Sequence, residues 1–169
     1  IGRGDRVALH TGMLPETGIM HMALYKLGAI AVTLSQLYGA DTLAHILNHA
    51  EAVAIVTQDH AWEQFRGRED EFPTLKHHIV VGSTQGDEIA FDSLLTDGTG
   101  KDYFSAVDTK ADDVALLMYT SGSTGLPKGI MHGHRILEAY VPSLSLVYNL
   151  DRDDPDAVFW SPADWAWVG

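Results

Sequence analysis

The 169-residue sequence has no cysteine, which rules out a disulfide framework and a thiolate nucleophile. Basic residues are scarce. With 11 Lys and Arg against 23 Asp and Glu the net charge is −12, and general nucleic-acid binding is excluded because a phosphate backbone has to meet a basic face. No run approaches the roughly 18 consecutive apolar residues of a membrane span, and no charged-then-apolar leader opens the chain. A cytoplasmic location is the expectation. Internal repeats and low-complexity tracts are absent, as are the G-x-S-x-G elbow of serine hydrolases and the H-E-x-x-H of zinc peptidases.

What is present is an alternation of short apolar runs with helical periodicity. Residues 6–10 read as a buried strand closed by Thr11-Gly12, and 16–27 as a helix with Ile19, Met22, Ala23 and Leu27 on its apolar face, stopped at Gly28. A strand over 30–34 leads to a helix in which Leu43, Ile46, Leu47 and Ala50 repeat at helical spacing behind Asp41 as N-cap. Strands over 52–57 and 78–81 flank a helix over 59–68, with Pro73 as a break. Residues 82–113 read as a connecting region with one short helix around 89–95. A strand over 114–118, a continuation over 129–132, a helix over 134–149 kinked or ended early by Pro142, an acidic turn at 151–156 and a last strand over 157–161 complete the pattern. Strands and helices alternating at this spacing predict an α/β fold, a parallel sheet with helices on both faces.

The densest chemistry lies in residues 119–129, YTSGSTGLPKG. Gly122, Gly125 and Gly129 permit positive φ and close approach of backbone N–H groups, Thr120, Ser121, Ser123 and Thr124 add hydroxyl donors, and Lys128 adds a point charge. That composition suits a phosphate. It is not a Walker A loop, since Pro127 precedes the lysine and Gly129 follows it, and no dinucleotide fingerprint is present. A solvated Gly/Ser linker is the competing reading, and the strand-like segments on both flanks argue against it. On so acidic a chain a bound polyphosphate requires local cations, for which Lys128, Arg135 and a Mg²⁺ carried by the nucleotide are the candidates.

The run resembles the phosphate-binding signature of the adenylate-forming superfamily, which includes acyl-CoA synthetases, firefly-type luciferases and the adenylation domains of peptide synthetases. Residues 4–58 are similar to a strand, helix and turn segment of that family, and FWSPADWAW at 159–167 resembles its next motif in the acetyl- and acyl-CoA synthetase version. The weakest likeness covers 59–110. The resemblance implies a partial large N-terminal domain, with βα units at 1–81, a connecting region at 82–113 and a phosphate-loop and acyl-pocket segment at 114–169. It implies ATP and CoA as substrates with a small-molecule carboxylic acid, and Mg²⁺ arriving with ATP. It further implies that Thr120, Ser121, Gly122, Ser123, Thr124, Gly125 and Lys128 embrace the nucleotide phosphates, Thr120 and Lys128 being the catalytic pair. Trp165, Trp167, Val168 and Gly169 would border the acyl pocket, where a bulkier residue than Gly169 in some members suggests more room here.

Both ends of the chain read as cut, so a missing C-terminal domain and an inactive isolated fragment are expected. A carrier-protein acceptor in place of CoA, or a fragment that only binds nucleotide, are the alternatives. Trp160, Trp165 and Trp167 fit core packing as readily as a pocket. The pairs His45 and His49, at helical spacing, and His132 and His134, two apart on a strand, could each present two imidazoles, yet no acid or cysteine stands at ligand spacing. Solvent-facing or hydrogen-bonded histidines are expected, with His132 adjacent to the nucleotide.

Overall fold

Apolar residues that alternate between two environments require a sheet buried on both faces, and the central strands do this residue by residue. The computed structural model describes residues 1–97, 104–120, 125–147, 156, 158 and 160–167. In β1 (Arg6–His10), Val7 and Leu9 face Met20 and Leu24 of α1 (Pro15–Leu27), while Ala8 faces Leu43, Ile46 and Leu47 of α2 (Ala40–His49). The same alternation separates Ala31 from Val32 in β2 (Ile30–Thr33), and Ala54 and Val56 from Ile55 in β3 (Ala54–Gln58). Helices α1 and α2 therefore cover opposite faces.

Adding β4 (His77–Val81), β5 (Ile89–Ala90), β6 (Val114–Thr120) and β7 (Lys128–Gly133) gives a seven-stranded sheet in the order β5-β4-β3-β1-β2-β6-β7. Every pairing is parallel except the last: β7 runs antiparallel to β6, with Thr120 opposite Lys128 and Val114 opposite Gly133. The expected continuation at 129–132 is thus a return strand, and Lys128 belongs to it rather than to the loop. The helices leaving the neighbours β1 and β2 depart to opposite faces, the topology at whose strand carboxyl ends open α/β sheets take ligands.

Several local expectations give way to tertiary packing. Gly39, not Asp41, is the N-cap of α2, since the Leu43 N–H already reaches the Gly39 carbonyl at 3.1 Å; Asp41 sits in the first turn, where its charge suits the helix dipole. The helix expected over 59–68 divides into α3 (Asp59–Trp62) and a 3-10 turn at Glu63–Phe65, followed after Gly67 (φ 82°) by a second at Glu69–Glu71. This break lets Trp62, Phe65 and Phe72 close on one another, with ring centroids 5.1 to 6.2 Å apart, in the α2-side core. The connecting region supplies β5, the sheet's edge, and α4 (Phe91–Asp97), whose Phe91 enters the α1-side core.

Helix α5 (Ile136–Val147) continues through Pro142, which removes a single N–H donor from the ladder. Its apolar side is not buried as the periodicity suggests: Ile136 touches the α1-side core, while Leu137, Tyr140, Val141 and Leu144 are exposed. No strand forms at Val158, Trp160 or Ser161, the first two being largely exposed; residues 157 and 159, and the acidic turn except Asp156, lie outside the described residues.

Candidate functional site

The site grows from the end of β6. Strand alternation turns Met118 toward the α1 face and buries Tyr119 on the α2 side, where its hydroxyl lies 2.7 Å from His49 Nδ1 and its carbonyl accepts the Tyr38 hydroxyl at 3.3 Å. Thr120 then emerges exposed, opposite the exposed Lys128 across the antiparallel pair. Gly125 has φ 128°, a conformation that a side chain would strain, whereas Gly129 lies in the strand without positive φ. What Gly129 supplies is closeness: a Cβ there would sit 3.0 Å from Leu117 Cδ1 and 3.3 Å from the Tyr119 ring. Ser121, Gly122, Ser123 and Thr124 lie outside the described residues, as do Val168 and Gly169.

A cleft of about 670 Å³ unites the two sequence motifs. Thr120 and Gly125 meet Trp167 across it, Tyr38 and Thr42 come from the β2–α2 side, and His132 projects from β7. The His132 Nε2 is buried and, among the described residues, has no hydrogen-bond partner, a polar atom suited to a nucleotide next to it. Arg135 is not brought to this cleft. The antiparallel return carries it to the amino end of β6, where its N–H reaches the Ala111 carbonyl and its guanidinium pairs with Asp112. Lys128 is left as the cation beside Thr120.

Trp167 also borders a second, largely apolar cavity of about 300 Å³ between α1 and α5, with His21, Tyr25, Met118, Leu144 and Trp165. Trp165 stacks on His21 with centroids 5.1 Å apart and a 28° interplanar angle, and His21 Nδ1 is 3.0 Å from the Tyr25 hydroxyl. Burial pulls the His21 pKa from 6.5 down to about 4 and pushes the Tyr25 hydroxyl up to about 12. At neutral pH this imidazole is uncharged. Since the folded pKa lies below the unfolded one, the unfolded chain takes up the proton first as pH falls, and stability present above pH 6.5 is lost on the way down to about pH 4. The urea midpoint is expected to drop across that window, and His21→Leu to flatten this part of the profile; an identical profile in the variant would reject the assignment.

At the carboxyl ends of β1 and β2, His10 is buried, with Nδ1 3.3 Å from Thr57 Oγ1, and burial lowers its pKa. Ser35 and Asp164 meet nearby. Neither these residues nor His21 and Tyr25 stood out in the sequence; a usable signal was Asp164 two residues before Ala166, the spacing of an Asx turn. Trp160 lies exposed, apart from this cluster. The histidines make hydrogen-bonded and ring contacts: His45 lies tilted against His49, with centroids 5.6 Å apart, and His134 meets the edge of Tyr25. Among the described residues no three His, Cys, Asp or Glu converge as metal ligands would. Nor, among the described residues, is any helix long and apolar enough to cross a membrane.

Curated relatives include the acetyl-coenzyme A synthetases of Bacillus subtilis, 30% identical over 99% of this chain and 29% of its own length, and of Pyrobaculum arsenaticum, 28% identical over 99% and 27%. The chain thus spans less than a third of these relatives. Among solved structures, a long-chain-fatty-acid-CoA ligase from Archaeoglobus fulgidus matches with a TM-score of 0.75 at 28% identity, over 89% of this chain and 29% of its own. Acetoacetyl-CoA synthetase from Streptomyces lividans shares the fold, with a TM-score of 0.83 at 22% identity over 99% of this chain and 27% of its own. The model of the AMP-binding enzyme family matches residues 1–169, and the chain, carrying its hydroxyl-and-glycine motif at the carboxyl end of a parallel strand, belongs to that family.

Proposed function

We propose that this chain is part of the nucleotide-binding domain of an AMP-forming acid–thiol ligase acting on a short- or medium-chain carboxylic acid. The observation that carries this reading is the single cleft shared by Thr120, Gly125, His132 and Trp167, which sets the phosphate motif beside the aromatic motif. A carboxylate oxygen of the acid attacks the α-phosphorus of ATP, the bond to the bridging oxygen breaks, and pyrophosphate leaves with that oxygen. The CoA thiolate then attacks the acyl carbonyl carbon and AMP departs with the electron pair. Thr120, Ser121, Gly122, Ser123, Thr124, Gly125 and Lys128 hold the β and γ phosphates and offset charge developing on the leaving group, so catalysis here is positioning and electrostatics. The His132 Nε2 contributes a donor or acceptor at the cleft wall. Trp165, Trp167, Val168 and Gly169 border the acid. Magnesium, when it arrives with ATP, would shield the phosphate oxygens.

The names of the relatives favour CoA as the acceptor. Because the chain spans about 27% of such relatives, the remaining catalytic parts are assigned to a longer polypeptide, and the 169 residues alone are expected not to turn over. The test is exchange of labelled pyrophosphate into ATP by the full-length protein. Exchange that requires a carboxylic acid, together with CoA-dependent release of AMP, is the expected result; exchange independent of any acid would overturn the reading, and AMP release requiring a carrier protein would change the acceptor.

A further inference from the structure

We propose that Ser35 and Asp164 form a strap that positions the turn carrying Trp165 and Trp167 as the acid-side wall of the cleft, a role that rests on the adenylation reading above. Asp164 is the hub of the turn. One carboxylate oxygen accepts the Ser35 hydroxyl at 2.7 Å, the other accepts the Ala166 N–H at 3.1 Å, and the Asp164 carbonyl accepts the Trp167 N–H at 2.9 Å. Ser35 is 1% exposed, one residue past Leu34 in the core. Its Oγ accepts the Leu37 N–H at 3.2 Å, which leaves the single hydroxyl hydrogen to Asp164. The bond joins positions 129 residues apart, just beyond the carboxyl end of β2.

From the other side, α1 meets the same turn through the stack of His21 on Trp165. The turn is thus gripped at two points on different elements, and its aromatic rings are delivered to both cavities: Trp167 to each, Trp165 to the apolar one. Hydrogen bonds to a carboxylate are among the stronger ones, and this one is partly buried, so loss of the Ser35 hydroxyl should release the turn without removing any side chain from the core. Asp164 and Ser35 are positioning residues. They act through Trp165 and Trp167, so acid binding should suffer while nucleotide binding, served by the β6–β7 connection, should not.

The test uses the full-length protein, with the best straight-chain acid from acetate to octanoate as probe. Ser35→Ala and Asp164→Ala are each expected to raise the KM for the acid about tenfold, the size of a lost bond to a charged group, with the KM for ATP within about twofold. The double variant should be no worse than Asp164→Ala, because the two act as one unit. Asp164→Asn should restore much of the loss, since its amide can present oxygen to Ala166 and NH₂ to Ser35. Hydrogen exchange supplies a readout independent of turnover: the Ala166 and Trp167 amides should exchange about tenfold faster in Ser35→Ala, while Val7 to Leu9 keep their protection. Unchanged acid KM, equal rises in both KM values, additive single effects, or deprotection spreading through β1 would each overturn the strap. Wild-type protein without acid-dependent exchange would defeat the functional reading on its own, and the Ala166 and Trp167 exchange rates would still decide whether Ser35 holds the turn.

Discussion

Lys128→Ala in the full-length protein is expected to lower acid-dependent pyrophosphate release about 10²-fold, the loss typical of removing one well-placed donor from a developing negative charge. Lys128 opens β7 opposite Thr120, which lines the cleft, and it is exposed, so its removal leaves no hole in the packing. Arg135, the other cation near the motif in sequence, is committed to Asp112 at the far end of the β6–β7 pair and cannot substitute. On a chain with a net charge of −12, an incoming polyphosphate needs local positive charge where it binds. Lys128→Arg should recover part of the rate, because it keeps the charge but not the compact ammonium geometry. Equilibrium binding of labelled ATP together with the exchange rate decides the matter: a variant equal to wild type in both removes the lysine from its assigned role.

Trp62→Ala is expected to be the most damaging single truncation for stability, costing about 3–5 kcal/mol. Trp62 is the largest of the fully buried side chains, at 1% exposure, and it holds together three segments that have little regular structure of their own. Its ring lies 5.1 Å from Phe65 and 6.2 Å from Phe72, and 4.7 Å from the edge-on ring of His78 in β4. The flanking backbone has little room to slide inward and fill the space, since Phe65 holds the first 3-10 turn and Phe72, just after the second, is packed into the same core. A fall in the urea midpoint at constant slope is the expected signature, with Trp62→Phe losing clearly less. A cost below about 1 kcal/mol for the alanine variant would show that the aromatic cluster collapses around the gap.

The central strands were legible because burial on both faces leaves near-continuous apolar runs, and Leu43, Ile46 and Leu47 marked α2 because its other face meets water. Residues 59–68 were misread as one helix for the opposite reason. Their backbone follows the demand of Trp62, Phe65 and Phe72 for a common core, and no local propensity encodes a partner that lies in another segment. Arg135 illustrates the same limit at the site: adjacency to Lys128 in sequence suggested a second phosphate cation, and the antiparallel return of β7 carried it to the other end of the sheet.

The sequence by itself determined the α/β class, the alternation of buried strands and covering helices, and the hydroxyl-and-glycine motif at a strand end, since each is written in residues a few positions apart. Only the tertiary structure decided that the motif's strand is followed by an antiparallel partner, that Trp167 faces Thr120 across one cleft, and that His21, Ser35 and Asp164 hold the aromatic turn. These are contacts between residues up to 129 positions apart, made when two faces of a sheet are packed at once, and no local period or propensity specifies them.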